Sequence, residues 1–368
     1  MKYEPSTSTA IRYTKAFGRK VDAERWLTTQ EADQLQGQWS DPRAGRIRFE
    51  EQATRWAASR RSQRPTTLAR DESLMGSLVL PTFGRMPLSS ITTNHVEKRI
   101  AGLVQAGYSP ATVRKAYQIF GGVIKSAIRA RRIGFNVAIG ISLPELDHRE
   151  RRFLTTSEIL ALAEAIDPRY RLMVLLGGFA GLRFGEVAAL RASSLGIGMR
   201  TITVRETITE VSGKLRIGPP KTRASIRTVA LPRFLSDELV ERVVGKGRDE
   251  LLFTAPMGGM VSPNRWRQRV WKPAAMALGL DDVTFHALRH SQGALLVQQG
   301  EHPLVVARRL GHTSVRTVLD IYGHLFEGID QQAADRLDES VRSSSADQVR
   351  TKPTPEVVDL LGSTAEKP

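Results

Sequence analysis

The sequence predicts a mainly α-helical protein with one small antiparallel β-sheet, divided into two domains. Apolar residues recur at helical spacing through residues 49–128 and again through 284–325, the period that gives a helix one buried face. Alternation at period two is confined to residues 200–231, which limits the sheet to a few short strands. At 368 residues the chain is long enough for two hydrophobic cores.

The elements follow in chain order. Residues 1–42 form a leader in which 10–14 reads as a strand and 20–30 as a helix with Trp26 and Leu27 on its buried side. One strand and one helix do not close a core, so the leader is a docking arm or the remnant of a small domain. The polar stretch 40–45, with Pro42, is a linker pattern. Residues 43–144 read as an all-helical domain. Its first helix runs to Arg60 with Phe49, Ala53, Trp56 and Ala57 on one face, and the second begins after Arg64 with Thr66 or Thr67 as cap. The third opens at Thr92, and the fourth opens at Ser109-Pro110 and runs through Val113, Phe120 and Ile124. Residues 144–150 are the expected interdomain linker.

The larger domain spans 151–340. Thr155 and Glu158 make a capping box, and the nearly all-apolar stretch 170–179 is a buried helix ended by Gly181. Stretches 200–210, 214–217 and 225–231 are expected to pair as one three-stranded antiparallel sheet, with 218–222 turning between the last two. Helices resume at Pro232, and the last of them, 326–341, carries a stripe of Ile329, Ala333, Leu337 and Val341. Residues 341–368 read as a flexible tail, apart from a short helix over 356–361.

Lysine and arginine outnumber aspartate and glutamate 54 to 38, a formal net charge of +16. Residues 43–132 hold 17 of those cations against 5 carboxylates. Such an excess suits a polyanion, because each phosphate it neutralises releases counterions; a plain solvated face is the competing reading. The basic side chains interleaved with the helical pattern are Arg60, Arg61, Arg64, Arg114, Lys115, Lys125, Arg129, Arg131 and Arg132, and these are the candidate DNA contacts. No run approaches the roughly 18 consecutive apolar residues of a membrane span, and residues 1–10 hold no signal-peptide core. Cysteine is absent, which excludes disulfides, thiolate metal sites and cysteine nucleophiles and suits a reducing cytoplasm.

The candidate chemistry gathers in residues 284–325, TFHALRHSQGALLVQQGEHPLVVARRLGHTSVRTVLDIYGHL, which hold His286, Arg289, His312 and Tyr322. Far upstream, GLRFGE places Arg183 and Glu186 just past the buried helix, and GPPKT places Lys221 in a turn. Each has a bland alternative: an i, i+3 ion pair for Arg183 and Glu186, chance neighbours for His286 and Arg289, a core residue for Tyr322. The ordered set carries the case. It resembles the catalytic signature of the tyrosine recombinases, the phage integrase family, over about residues 46–335.

That resemblance implies a helical core-binding domain followed by an α+β catalytic domain. It implies Arg183, Lys221, His286, Arg289 and His312 as the site, with Tyr322 as nucleophile and Glu186 supporting the first arginine. Two planar guanidinium forks suit the non-bridging oxygens of a phosphodiester, and His312 adds a donor. By the same analogy His286 takes the tyrosine proton and Lys221 protonates the leaving 5′-oxygen. The expected product is a 3′-phosphotyrosine that keeps the bond energy, so religation needs no ATP, metal or other cofactor. The expected function is site-specific DNA recombination, as the integrase of a temperate phage or mobile element in the host bacterial cytoplasm. Its expected partners are double-stranded attachment sites, three further copies of itself on paired sites, and a host DNA-bending or directionality factor, with no membrane. A host chromosome- or plasmid-resolving recombinase is the alternative within the class. A DNA-binding regulator is the alternative outside it, but has no use for Tyr322 beside two arginines; a metal-dependent nuclease lacks a carboxylate cluster. Residues 17–27 resemble the end of the arm-binding module of actinobacterial phage integrases, although the strands that precede it there are largely missing.

Overall fold

A computed structural model of the chain describes residues 16–35, 43–146, 152–326 except 197 and 199, 331 and 334–342. The expected strand at 10–14 and the tail from 343 lie outside these residues. Two compact units divide at residues 149 and 150.

The first unit is helical. Helix α1 (Lys20–Leu35) sets Trp26 against Phe17, ring centroids 5.6 Å apart, whereas Leu27 is exposed rather than inward. Helices α2 (Phe49–Ala58), α3 (Pro65–Leu74), α4 (Leu80–Phe83), α5 (Thr93–Gln105) and α6 (Pro110–Arg129) follow. Ser109 caps α6 and Thr92 caps α5, each accepting a bond from the backbone N–H three residues on, which satisfies donors the helix leaves open. The threonines after Arg64 cap nothing: α3 starts on Pro65 directly, whose missing N–H costs nothing there. One face of α6 is wholly buried, from Val113 to Ala127, and Phe120 packs on Phe49 and Phe83 at 5.3 and 4.6 Å. Ala57, placed on the buried face by its spacing, is exposed instead.

In the second unit Thr155 and Glu158 form the capping box that starts α7 (Thr156–Ala165). The apolar stretch becomes a turn at Pro168–Tyr170 and then α8 (Arg171–Phe179), buried from Leu172 to Gly178. Helix α9 (Phe184–Ala188) comes next. The expected single sheet is two separate two-stranded ladders. Strand β1 (Thr201–Val204) pairs antiparallel with β4 (Arg227–Ala230), and β2 (Thr207–Val211) pairs with β3 (Lys214–Gly218). The break falls at Arg205-Glu206, where Glu206 occupies an inward position of the alternation and is drawn to Arg191 at 2.8 Å. Lys221 therefore lies in a connection between two ladders, not in a hairpin turn. Helices α10 (Arg233–Val243), α11 (Pro263–Trp266), α12 (Lys272–Ala277), α13 (Phe285–Gln298), α14 (Pro303–Leu310) and α15 (Arg316–Tyr322) complete the unit. Of the expected last helix, 334–342 is helical, with Leu337 and Val341 68% and 66% exposed. No helix among the described residues is long and apolar enough to cross a membrane.

Candidate active site

The second unit brings charge together around Glu186, which is only 2% exposed. Arg183 stands at the N-cap of α9 and Glu186 three residues in, so the carboxylate folds back to accept the Arg183 backbone N–H at 3.0 Å and its Nη1 at 2.6 Å. Arg227, from β4, donates Nη2 to the same carboxylate at 3.0 Å, Nη1 to the Ser225 carbonyl and Nε to the Arg309 carbonyl at 2.7 Å. Arg289, on α13 and 1% exposed, donates Nη1 to the Gly181 carbonyl at 2.6 Å and Nη2 to the Leu310 carbonyl. The turn after the buried helix, strand β4, the start of α9, the end of α14 and Arg289 of α13 therefore converge on one place.

Gly311 makes that convergence feasible. It ends α14 in the left-handed region at φ +64°, where a side chain would be strained. A Cβ there would also stand 3.0 Å from the Arg227 side chain. The turn delivers His312 to the cluster.

Electrostatics follow from that crowding. Burial pushes the Glu186 carboxyl up, but Arg227 and then Arg183 outweigh it and leave the group below its usual range. The Arg289 guanidinium is pushed down to about 9, by burial first and then by Arg183 and Arg227. His312 is pushed down to about 4 by burial, then Arg289, Arg183, His286 and Arg227, and is neutral near pH 7. Three guanidinium groups against one carboxylate leave a formal excess of two positive charges, with Arg227 and Arg289 shut away from water. A buried charge without a counter-ion is costly, so this arrangement favours an incoming anion.

Tyr322 ends α15 and is 0% exposed. Its hydroxyl lies 3.2 Å from His290 Nδ1, and its ring packs 5.8 Å from that of Phe153. Gly293 opposes it so closely that a Cβ at that position would fall on the phenol. His286 is exposed and meets His290 edge to face at 4.5 Å; His290, one turn further along α13, is the histidine 3.2 Å from the Tyr322 oxygen. Lys221 stands exposed beside Thr222, whose hydroxyl shares a hydrogen bond with Ser225 at 3.0 Å.

Two residues of this cluster went unread in the sequence. Arg227 alternates with the buried Val229 on β4, an inward cation in a strand, and that was its signal. His290 directly follows Arg289 and lies four residues beyond His286, hence on its face of the helix.

The basic residues of the first unit divide. Arg60 and Lys115 are drawn to buried Asp71 at 2.8 and 3.2 Å, with Arg60 also 4.3 Å over the Trp56 ring. Arg114 donates to the Pro144 carbonyl, and Arg132 is half-buried. Arg61, Arg64, Lys125, Arg129 and Arg131 stand on the open surface.

Residues 152–328 match the phage integrase family. The chain is 27% identical over 335 residues to a prophage phiRv2 integrase of Mycobacterium tuberculosis, spanning 87% of each chain. It is 25% identical over 353 residues to the integrase of Mycobacterium phage L5, spanning 91% of this chain and 93% of the other. In fold it is similar to the Tn1549 transposon integrase in complex with circular intermediate DNA, with a TM-score of 0.69 at 18% identity over 79% of this chain and 100% of that one. A lambda integrase tetramer bound to a Holliday junction gives 0.58 at 16% identity over 83% and 88%. At these identities the two structures speak for the fold alone.

Proposed function

This chain belongs to the phage integrase family of tyrosine recombinases, and on that premise we propose how its site cleaves and rejoins DNA. It is a site-specific recombinase of the phage and mobile-element integrase type. The observation that supports the proposed site best is the desolvated excess of positive charge around Glu186. In phosphoryl transfer the protein chiefly supplies position and charge stabilisation. Arg183 and Arg289 hold the non-bridging oxygens of the scissile phosphate, Glu186, itself held by Arg227, keeps Arg183 in place, and neutral His312 donates a further hydrogen bond. Tyr322 attacks phosphorus, the bond to the 5′-oxygen breaks, and Lys221 on its exposed connection protonates that oxygen. The 3′-phosphotyrosine is then resolved by the 5′-hydroxyl of another strand.

Residues 43–144 grip the flanking duplex through Arg61, Arg64, Lys125, Arg129 and Arg131. Four strands are exchanged, so four protomers assemble on paired sites. Leu337 and Val341, exposed on the last helix, support a docking role for that helix between protomers. The setting is the host bacterial cytoplasm, with a host DNA-bending or directionality factor as a further partner.

The test is a pool of nicked duplexes with randomised sequence around the nick. Incubation in EDTA, denaturation, and sequencing of the DNA that stays attached to protein should recover one preferred site. Tyr322→Phe should bind that site and yield no adduct. Adduct from Tyr322→Phe at the wild-type level would overturn the assignment.

A further inference from the structure

We propose that His290, rather than His286, accepts the phenolic proton of Tyr322 during strand cleavage; this rests on the reading of Tyr322 as the nucleophile. The geometry is direct. Nδ1 of His290 lies 3.2 Å from the Tyr322 oxygen, within the reach a general base needs at ground state. Tyr322 is fully buried, so bulk water does not reach the phenol and the base must be a packed neighbour. His286 is exposed, and its ring packs against that of His290 at 4.5 Å.

The site around His290 is built to hold this pair. Gly293 leaves room for the phenol ring one turn along the same helix, and Phe153 packs 5.8 Å from that ring while stacking on His324. The charged and titratable neighbours are His286 and Arg289 on α13, and Tyr322 and His324 from the segment packed across it. Helix α8 turns Gly177 towards α13, and its Arg171 is engaged by Glu164 and Glu238. From α14, Arg309 donates to the Ala230 and Phe179 carbonyls and Arg308 is exposed. Arg316 of α15 faces Asp320 at 3.9 Å.

The step balances within the residues named. The O–H bond of Tyr322 breaks and its proton passes to Nδ1, with the ring's own hydrogen on Nε2. The oxygen pair freed in that transfer forms the bond to phosphorus, and the pair of the breaking P–O5′ bond takes a proton from Lys221. Resolution runs the transfer backwards: an imidazolium at His290 returns the proton to the departing phenolate.

The experiment measures the rate of covalent adduct formation against pH on the duplex recovered from the randomised pool. A companion duplex carries sulfur in place of the bridging 5′-oxygen. Thiolate leaves without protonation, so this substrate removes the need for the acid but not for the base. His290→Ala is expected to lose about 10²–10⁴-fold in rate on both duplexes, to lose the acid limb of the wild-type profile, and to regain rate with added imidazole. Lys221→Ala should recover on the sulfur duplex. His286→Gln should slow cleavage but keep the acid limb. Where His290→Ala does not bind the duplex, His290→Gln, which keeps the volume, carries the comparison. A wild-type rate and acid limb in the His290 variant that binds DNA would overturn the proposal. So would a slower variant that keeps the acid limb and ignores imidazole, since that pattern is positioning alone. Adduct from Tyr322→Phe would instead remove the reading on which the proposal rests.

Discussion

Each unit of the molecule surrounds one buried carboxylate with three cations, and the two arrangements do opposite things. In the first unit Asp71 draws Arg60, Lys115 and Arg70 at 2.8, 3.2 and 3.8 Å. In the second, Glu186 draws Arg183 and Arg227, with Arg289 close enough to feel them both. Counted formally, three cations less one carboxylate leaves the same excess of two in each. Solvation separates them. The cations around Asp71 keep 20 to 61% of their side chains in water, so water absorbs the excess. Arg227 and Arg289 are buried, so water cannot absorb theirs. Local charge count alone does not mark a binding site; a charge count that water cannot reach does.

A large effect on rate is expected from changing the shape of the clustered cations while keeping their charge. Arg183→Lys and Arg289→Lys should each slow adduct formation by about 10²–10³-fold, equivalent to about 3–4 kcal/mol of transition-state stabilisation. Thermal melting checks that each variant is folded. Near-wild-type rates from both would show that the forks are not phosphate clamps, and the contrast with Asp71 would lose its functional meaning.

Removing the carboxylate from each cluster sharpens the same contrast. Glu186→Gln leaves buried cations without their counter-charge and should cost about 3–5 kcal/mol of stability. Asp71→Asn should cost less, about 1–3 kcal/mol, because its partners can turn to water. Denaturant unfolding measures both. Added sulfate should restore Glu186→Gln more than Asp71→Asn, and equal losses with equal rescue would erase the distinction.

A smaller effect tests the basic surface. Replacing Arg61, Arg64, Arg129 and Arg131 together by alanine should weaken DNA binding. The slope of log affinity against log salt should become shallower by about 0.9 for each phosphate that these side chains no longer neutralise. Arg60→Ala, whose charge is spent on Asp71, should leave the slope unchanged. A change in slope from Arg60→Ala as large as the others would show that the ion pair opens on DNA.

The last test is a pH dependence. His312 is held near 4 in the folded chain against about 6.5 when unfolded. Between those values the unfolded chain binds the extra proton, so stability is full above pH 6.5 and is lost as pH falls towards 4. Melting temperature in that window should fall more steeply for wild type than for His312→Asn. Parallel curves would mean that His312 is not held neutral by the cluster.

Much of this is legible in the sequence. The caps at Ser109, Thr92 and Thr155 are local chemistry, and local chemistry survives tertiary packing. Arg183, Arg289 and Tyr322 stand out because their motifs are ordered along the chain. The division of the sheet does not, because the alternation runs through Arg205-Glu206 with no glycine or proline to mark the break; only a carboxylate in an inward position hints at it. The division of the basic residues is invisible for another reason. Asp71 lies 11 residues from Arg60 and 44 from Lys115, and nothing local says which cations it will claim. His290 is passed over for His286 because both sit on one helical face, and only the packing of α15 chooses between them.

The contact between Gly293 and Tyr322 has a bearing on how such a sequence can drift. Any side chain gained at 293 collides with the phenol, so it is tolerated only after 322 has become smaller. A smaller residue at 322 ends the proposed chemistry before the benefit at 293 can be felt. Neither order of substitution passes through a working protein, so the two positions are locked as a pair.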